Sequence, residues 1–371
     1  MKLSGCATAE GTDRYRKRFD GRIPPQHFRE SQGLWLSSIG IGTYLGDHDE
    51  ATDHLYYDAV VRAVQSGCNV IDTAVNYRFQ RSERSIGAAL NTLTENGFGR
   101  DEILIATKGG FIPYDAVPPR DIRTYFIDTF VKPGVANFSD VIGGCHCMTP
   151  SYLLNQLDCS LRNLNLECVD IYYVHNPEMQ LSTVSRDEFH DRLLKAFEVL
   201  ERAVSAGKIR LYGTATWNGY RNDSAAKDYL SLAEVVEIAK KAGGEQHHFK
   251  VIQLPFNLGM NEPLSQRNQR VGQRNLTVLE AAQSLGITVM SSASILQGQL
   301  ARNLPSMIGD ALQGLETDSQ RAIQFVRSTP GVTTALVGMK QLQHVEENLT
   351  AAHVPPAPWE EYSKLFQVET D

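Results

Sequence analysis

Eight short apolar runs alternate with helix-periodic stretches along this chain, and that alternation limits its fold more than any other feature. The runs are Ser38–Thr43, Asn69–Asp72, Ile103–Thr107, Val169–Val174, Ile209–Thr214, Val251–Leu254, Ile287–Ser291 and Thr334–Val337. Amphipathic stretches follow them at His54–Ser66, Glu83–Thr94, Pro150–Leu164, Arg186–Ala206, Ala226–Ala242, Thr277–Leu285, Ser319–Ser328 and Leu342–Leu349. Short apolar runs read as strands buried on both faces, and their alternation with helices implies βα units around a parallel sheet. Eight such units fit a closed (β/α)8 TIM barrel better than an open doubly wound sheet. No Gly-x-Gly-x-x-Gly follows the first run, which argues against a Rossmann domain. Gly207 and Gly286 stand where a left-handed residue ends a helix cheaply.

The barrel is expected over 31–371 as one domain, since barrels of this class often exceed 250 residues. Residues 1–30 carry Arg14, Arg16, Lys17 and Arg18 but no apolar core of a signal peptide. They read as a polar, partly disordered lead-in, with a cap on the barrel bottom as the alternative. One connection breaks the pattern. About forty residues, Gly109 to Thr149, separate the third run from its helix, whereas most βα loops have about two to six. The stretch holds Pro113, Pro118, Pro119, Pro133 and a short helical segment, Asp121–Phe130. It leaves the catalytic end of a strand, so 109–149 is expected to be a lid or binding loop.

Composition excludes several functions. The net charge is -7, and a mildly acidic chain is a poor partner for nucleic acid or anionic membranes. No apolar run approaches the length of a membrane span. Cys6, Cys68, Cys145, Cys147, Cys159 and Cys168 show no disulfide-framework spacing, so a reducing cytoplasm is the simplest home. Cys145-His146-Cys147 lacks the spacing and further ligands of a zinc motif, and no bound metal is expected.

The chemistry sits at strand ends. Asp72, Lys108 and His175 each close an apolar run, and Tyr77 follows Asp72 by five residues. In a parallel barrel that end is the catalytic face. Tyrosine, with a pKa of about 10, exchanges protons poorly near neutrality unless a nearby cation lowers it. Lys108 is the candidate cation and Asp72 the anion that keeps a buried lysine charged. His175 is a candidate hydrogen-bond donor to a carbonyl oxygen. Glu178, three residues on, either lines the site or is a solvated loop charge.

These residues resemble the signature of the aldo-keto reductases, in the branch that includes bacterial reductases and potassium-channel β subunits. Gly40-Ile-Gly-Thr43, Asn69 through Tyr77, Ser82-Glu83-x-x-Ile-Gly87, Gly207-Lys-Ile-Arg210-x-x-Gly213 and Gly338 leading to Glu346-Glu-Asn348 are similar to that family over roughly 34–349. The resemblance implies an NADP(H)-dependent oxidoreductase acting on a small carbonyl or alcohol. Nicotinamide gives hydride to the carbonyl carbon, and Tyr77 gives the proton to its oxygen. A cofactor-binding regulatory subunit is the alternative that the channel branch implies.

The resemblance also implies a cofactor site of Gly42, Thr43 and Asp72, with Gln253 on the carboxamide and Trp217 beside it. The family's Ser-Asn or Ser-Arg pair is Ala215-Thr216 here, so Thr216, Asn218 or Thr214 must replace that hydrogen bond. Ser292, Ala293, Ser294, Ile295 and Gly298 correspond to the pyrophosphate loop. Gly338, Lys340, His344, Glu347 and Asn348 correspond to the adenosine end, with Lys340 facing a 2′-phosphate. NADP(H) is favoured, and NAD(H) use stays open.

Overall fold

The computed structural model describes residues 2–366. Met1 and the last five residues of the 31–371 stretch lie outside the described residues. Eight strands close into a parallel barrel in chain order. They are β1 (Ile39–Gly42), β2 (Val70–Asp72), β3 (Leu104–Gly109), β4 (Val169–His175), β5 (Ile209–Ala215), β6 (Phe249–Pro255), β7 (Thr288–Ser292) and β8 (Thr334–Gly338). All eight expected runs are barrel strands. Lys108, His175 and Ala215 are strand residues, so β3, β4 and β5 each run at least one residue past the expected end.

The outer helices are α1 (Glu50–Gln65), α2 (Arg81–Glu95), α3 (Pro150–Asn163), α4 (Arg186–Ser205), α5 (Leu232–Gly243), α6 (Val278–Ser284), α7 (Asp318–Ser328) and α8 (Leu342–Thr350). Their starts have local causes. Asp49, Ser185 and Ser231 accept N–H bonds from the first turns of α1, α4 and α5. Thr277 with Glu280 and Thr317 with Gln320 form capping boxes. Gly207 and Gly286 take φ of 70° and 68° after α4 and α6, as expected. The helix expected over Ala226–Ala242 begins at Leu232 instead. The preceding residues form a loop in which Asp228 accepts from Asn218 and Asn222.

Packing forms two nested cores. A large outer core joins barrel to helices, and an inner cluster fills the barrel with Val70, Leu104, Ile171, Tyr173, Val251, Met290 and Leu336. Gly213 shows how tight the wall is. A Cβ there would stand 1.9 Å from the Val251 carbonyl oxygen.

The lead-in is not disordered. Residues 9–17 form a helix, and Phe28–Ser31 pairs with Leu34–Ser37 in an antiparallel hairpin. Leu34, Leu36 and Ala7 join the inner cluster and close the barrel bottom. The charges that made this segment look unfolded are paired, Arg14 with Asp101 and Glu102, and Arg18 with Glu102. A second short hairpin, Gln269–Val271 with Arg274–Leu276, precedes α6. Neither hairpin had been read from the sequence.

The long connection is largely ordered by its own small core of Phe126, Phe130, Ala136, Cys147 and Tyr152. Asp121 caps its helix by accepting from the N–H groups of Arg123 and Thr124. An α turn over Ile122–Phe126 runs into a π turn over Ile127–Val131.

Candidate active site

β2, β3, β4 and β6 open at the same end of the barrel, and side chains near those ends converge. Lys108 is fully buried and donates to Asp72 Oδ2 at 2.6 Å and to the Thr73 carbonyl at 2.8 Å. Gln253 Nε2 donates to the other oxygen, Asp72 Oδ1, at 2.7 Å. Burial pulls the Lys108 pKa down while Asp72 opposes that shift. The chain after β2 then crosses Lys108. Val75 N–H bonds the Lys108 carbonyl, and Tyr77 N–H closes a turn onto Ala74. This carries the Tyr77 ring over the ammonium, with Lys108 Nζ 4.9 Å from the ring centroid. Arg78, Phe79 and Gln80 follow with φ of 48°, 54° and 70°. Three consecutive non-glycine residues in that region are costly and persist only where the surroundings hold them. Arg78 supplies the hold, bonding the Asp47 carbonyl and Asp53.

The Tyr77 phenol is pushed well above its ordinary value, first by burial and then by the Asp72 carboxylate. This corrects the expectation that Lys108 lowers it. The ammonium is paired with Asp72 at 2.6 Å, and burial of the ring outweighs its pull. His175 is held neutral, because burial and Lys108 both lower its pKa. Its ring meets Tyr77 edge-on at 6.0 Å and Phe111 at 4.8 Å.

These groups line one end of a cavity of about 910 Å³, large for a small-molecule site. Of the residues singled out by sequence, Gly42, Thr43, Asp72, Tyr77, His175, Thr216, Trp217, Gln253, Ser292, Ala293, Ser294, Ile295, Gly298, Gly338, Lys340, His344, Glu347 and Asn348 line it. Two do not. Lys108 lies behind Tyr77, and the Asn218 side chain is tied to Asp228. Thr216 Oγ1 is buried without a protein partner. Ala293, Leu296 and Gln297 all have positive φ in the loop after β7. At the far end Lys340 is in no ion pair among the described residues.

Glu178 fits neither sequence alternative. It is buried, and Oε1 accepts the N–H groups of Trp217 at 2.7 Å and Asn218 at 3.2 Å. Burial pushes its carboxyl up to about 7. It fastens the loop after β5 from behind. Sequence reasoning missed Tyr44, Leu45, Tyr56, Asn76, Phe111 and Asn176, which also line the cavity. Tyr44, Asn76 and Asn176 each adjoin a chosen residue, so adjacency was an available signal. Phe111 had none, since it comes from the long connection, of which it alone reaches the cavity.

No metal-ligating cluster occurs among the described residues. No helix there is long and apolar enough to cross a membrane.

Known proteins share this architecture. The chain is 23% identical over 347 residues to a putative voltage-gated potassium channel subunit beta of Schizosaccharomyces pombe, covering 90% of this chain and 89% of that one. It is 24% identical over 222 residues to an NADH-specific methylglyoxal reductase of Escherichia coli, covering 56% of each. Among solved structures, an aldo/keto reductase of Klebsiella pneumoniae in complex with NADP and acetate superposes with a TM-score of 0.61. The sequences are 19% identical, and the match covers 93% of this chain and 97% of that one. The model of the aldo/keto reductase family matches residues 38–307, most of the barrel, and the chain belongs to that family.

Proposed function

We propose that this protein is an NADP(H)-dependent oxidoreductase that interconverts an aldehyde or ketone with its alcohol, with Tyr77 as the proton donor. The observation that carries this is the Tyr77 ring over the ammonium of the buried Lys108–Asp72 pair and edge-on to His175 at one end of the cavity. A phenol that keeps its proton at neutral pH is an acid in reserve. It releases that proton only when a stronger base, such as the oxygen of a carbonyl under reduction, develops beside it. His175, neutral, holds the same oxygen by a hydrogen bond and adds no charge.

The residues present fit a nicotinamide dinucleotide. Thr216 Oγ1, buried and unpartnered, and the Gln253 amide suit a carboxamide at the reactive end. The loop from Ser292 to Gly298 suits a pyrophosphate, and Lys340 suits a 2′-phosphate as a point charge. When bound, the nicotinamide supplies or accepts the hydride at the carbonyl carbon. Trp217 shields the ring's surroundings from water, and Glu178 fixes Trp217. The relative named as NADH-specific keeps NAD(H) as a second nucleotide to assay. All six cysteines are free, which accords with a reducing compartment.

The test is near-ultraviolet absorbance of reduced nucleotide with a panel of aldehydes and ketones, wild type beside Tyr77→Phe. Turnover is expected with wild type and a severe loss with Tyr77→Phe, at nearly unchanged nucleotide affinity. Full activity of Tyr77→Phe refutes the acid assignment. Tight nucleotide binding with no turnover on any carbonyl favours instead a regulatory subunit, the reading that likeness to the channel subunit supports.

A further inference from the structure

The root of the long connection is built against the catalytic histidine. Its two arms pair, Ile112 N–H to the Cys145 carbonyl and Cys147 N–H to the Gly110 carbonyl, both at 2.8 Å. Between them His146, fully buried, reaches the His175 backbone carbonyl with Nε2 at 2.6 Å. A carbonyl only accepts, so Nε2 carries the proton and Nδ1 is an acceptor. Gln180 Nε2 donates to that Nδ1 at 2.8 Å. Gln180 Oε1 accepts in turn from Arg192 at 2.6 Å, and Glu188 anchors Arg192. The relay from Arg192 through Gln180 and His146 therefore donates step by step toward His175. The approach is as close as backbone allows. A Cβ on Gly110, at φ +148°, would stand 2.8 Å from the His175 oxygen and 2.9 Å from His146 Nε2.

The His175 ring lacks equivalent support from the barrel. Its Nδ1 is buried and unpartnered among the described residues. What sets its direction is packing against Tyr77, and against Phe111 at 4.8 Å, which also packs on His146 at 5.5 Å. Both Phe111 and His146 belong to the connection.

We propose that His146 is a positioning residue for His175, and that the root of the 109–149 connection is a fixed wall of the catalytic site. This rests on the oxidoreductase reading above. His146 holds the His175 main chain by its carbonyl, and Phe111, held by His146, sets the ring. Loss of the imidazole lets the end of β4 and the Phe111 wall relax together. His175 then no longer meets the carbonyl oxygen at the angle that proton transfer from Tyr77 needs. Displacements of about 1 Å in such groups cost about a hundredfold in rate.

The experiment compares His146→Ala, His146→Gln and Tyr77→Phe with wild type for turnover, nucleotide affinity by fluorescence quenching, and the solvent deuterium isotope effect on turnover. His146→Ala is expected to lose about tenfold to a hundredfold in turnover, with affinity within about twofold. Its isotope effect rises, because proton transfer becomes the slow step. His146→Gln keeps a donor and an acceptor along the same line and restores most of the rate. Turnover of His146→Ala within about twofold of wild type overturns the proposal. So does an equal loss of affinity, or no rescue by glutamine, since a scaffold role alone gives those results. If His146→Ala does not fold, Gln180→Leu carries the test by the same criteria. It removes the donor that fixes the His146 tautomer and leaves the imidazole packed. Retained activity in Tyr77→Phe would instead refute the underlying reading.

Discussion

The Asp72–Lys108 pair separates what this site needs for folding from what it needs for chemistry. Lys108 is fully buried and Asp72 is 5% exposed. Removing one member leaves a buried group without its partner, at a cost of about 3–5 kcal/mol. For a chain of 371 residues the unfolding entropy is about 0.8 kcal/mol per kelvin, so Lys108→Met should lower Tm by about 4–6 °C. Asp72→Asn should behave differently with pH. Only the weaker pull of Glu83 then opposes the burial that already lowers the ammonium, and Lys108 should give up its proton more readily. A lysine whose folded pKa is depressed binds fewer protons folded than unfolded. Stability of Asp72→Asn should therefore rise with pH, by about 1.4 kcal/mol per unit until the ordinary lysine value near 10.5. The double variant removes both charges and should recover to within about 2 kcal/mol of wild type, because a neutral buried pair leaves no ion stranded. Its turnover should stay lost. Thermal and urea unfolding at two pH values, with initial rates on the same samples, measure all of this. Additive losses in the double variant, or an Asp72→Asn variant as stable as wild type at neutral pH, would refute the coupling.

Three further outcomes are expected. Glu178→Leu should raise the nucleotide KM about tenfold by freeing the N–H groups of Trp217 and Asn218, whereas Glu178→Gln keeps the acceptor and should stay near wild type; equal KM values in the two variants would show that the bond does not position the loop. His27 is buried neutral, lowered to about 3 by burial and then by Arg327, so its contribution is present above the ordinary 6.5 and is lost as pH falls toward 3. Replacing it should remove about 1.4 kcal/mol per pH unit from the acid slope of urea stability, and an unchanged slope would exclude it. Lys340→Ala should weaken NADPH more than NADH in titrations followed by fluorescence, and equal losses would remove Lys340 from the phosphate end.

The barrel was legible because each strand is a short run of apolar residues and the helices between them are amphipathic, several of them starting at a cap such as Asp49, Ser185 or Thr277. Lys108 and His175 were read as closing their apolar runs, and the structure takes β3 and β4 through them. The lead-in failed for an electrostatic reason. Its arginines answer to Asp101 and Glu102, over eighty residues away in sequence, and pairing at that distance leaves no local pattern. Tyr77 was found but its pKa direction was not. The sequence places a lysine and its Asp72 partner near it, while only the fold shows that burial of the ring outweighs the cation beside it. Glu178 was misjudged for a similar reason, because its partners are backbone N–H groups that any residue supplies. Phe111 and His146 emerged only with the tertiary structure, since the long connection folds back on its own root.

The hairpin at the barrel bottom has a kinetic corollary. Leu34, Leu36 and Ala7 close that end against the inner cluster, so among the described residues the reactive groups open to the strand-end side. A site with one doorway enforces a queue. On the oxidoreductase reading, a nucleotide on the floor beside Gln253 and Thr216 would have to arrive before a substrate settles on Tyr77 and Trp217, and depart after it. Both would then share the mouth framed by Tyr44 and Trp217, and exchange through it would set an upper bound on cycling.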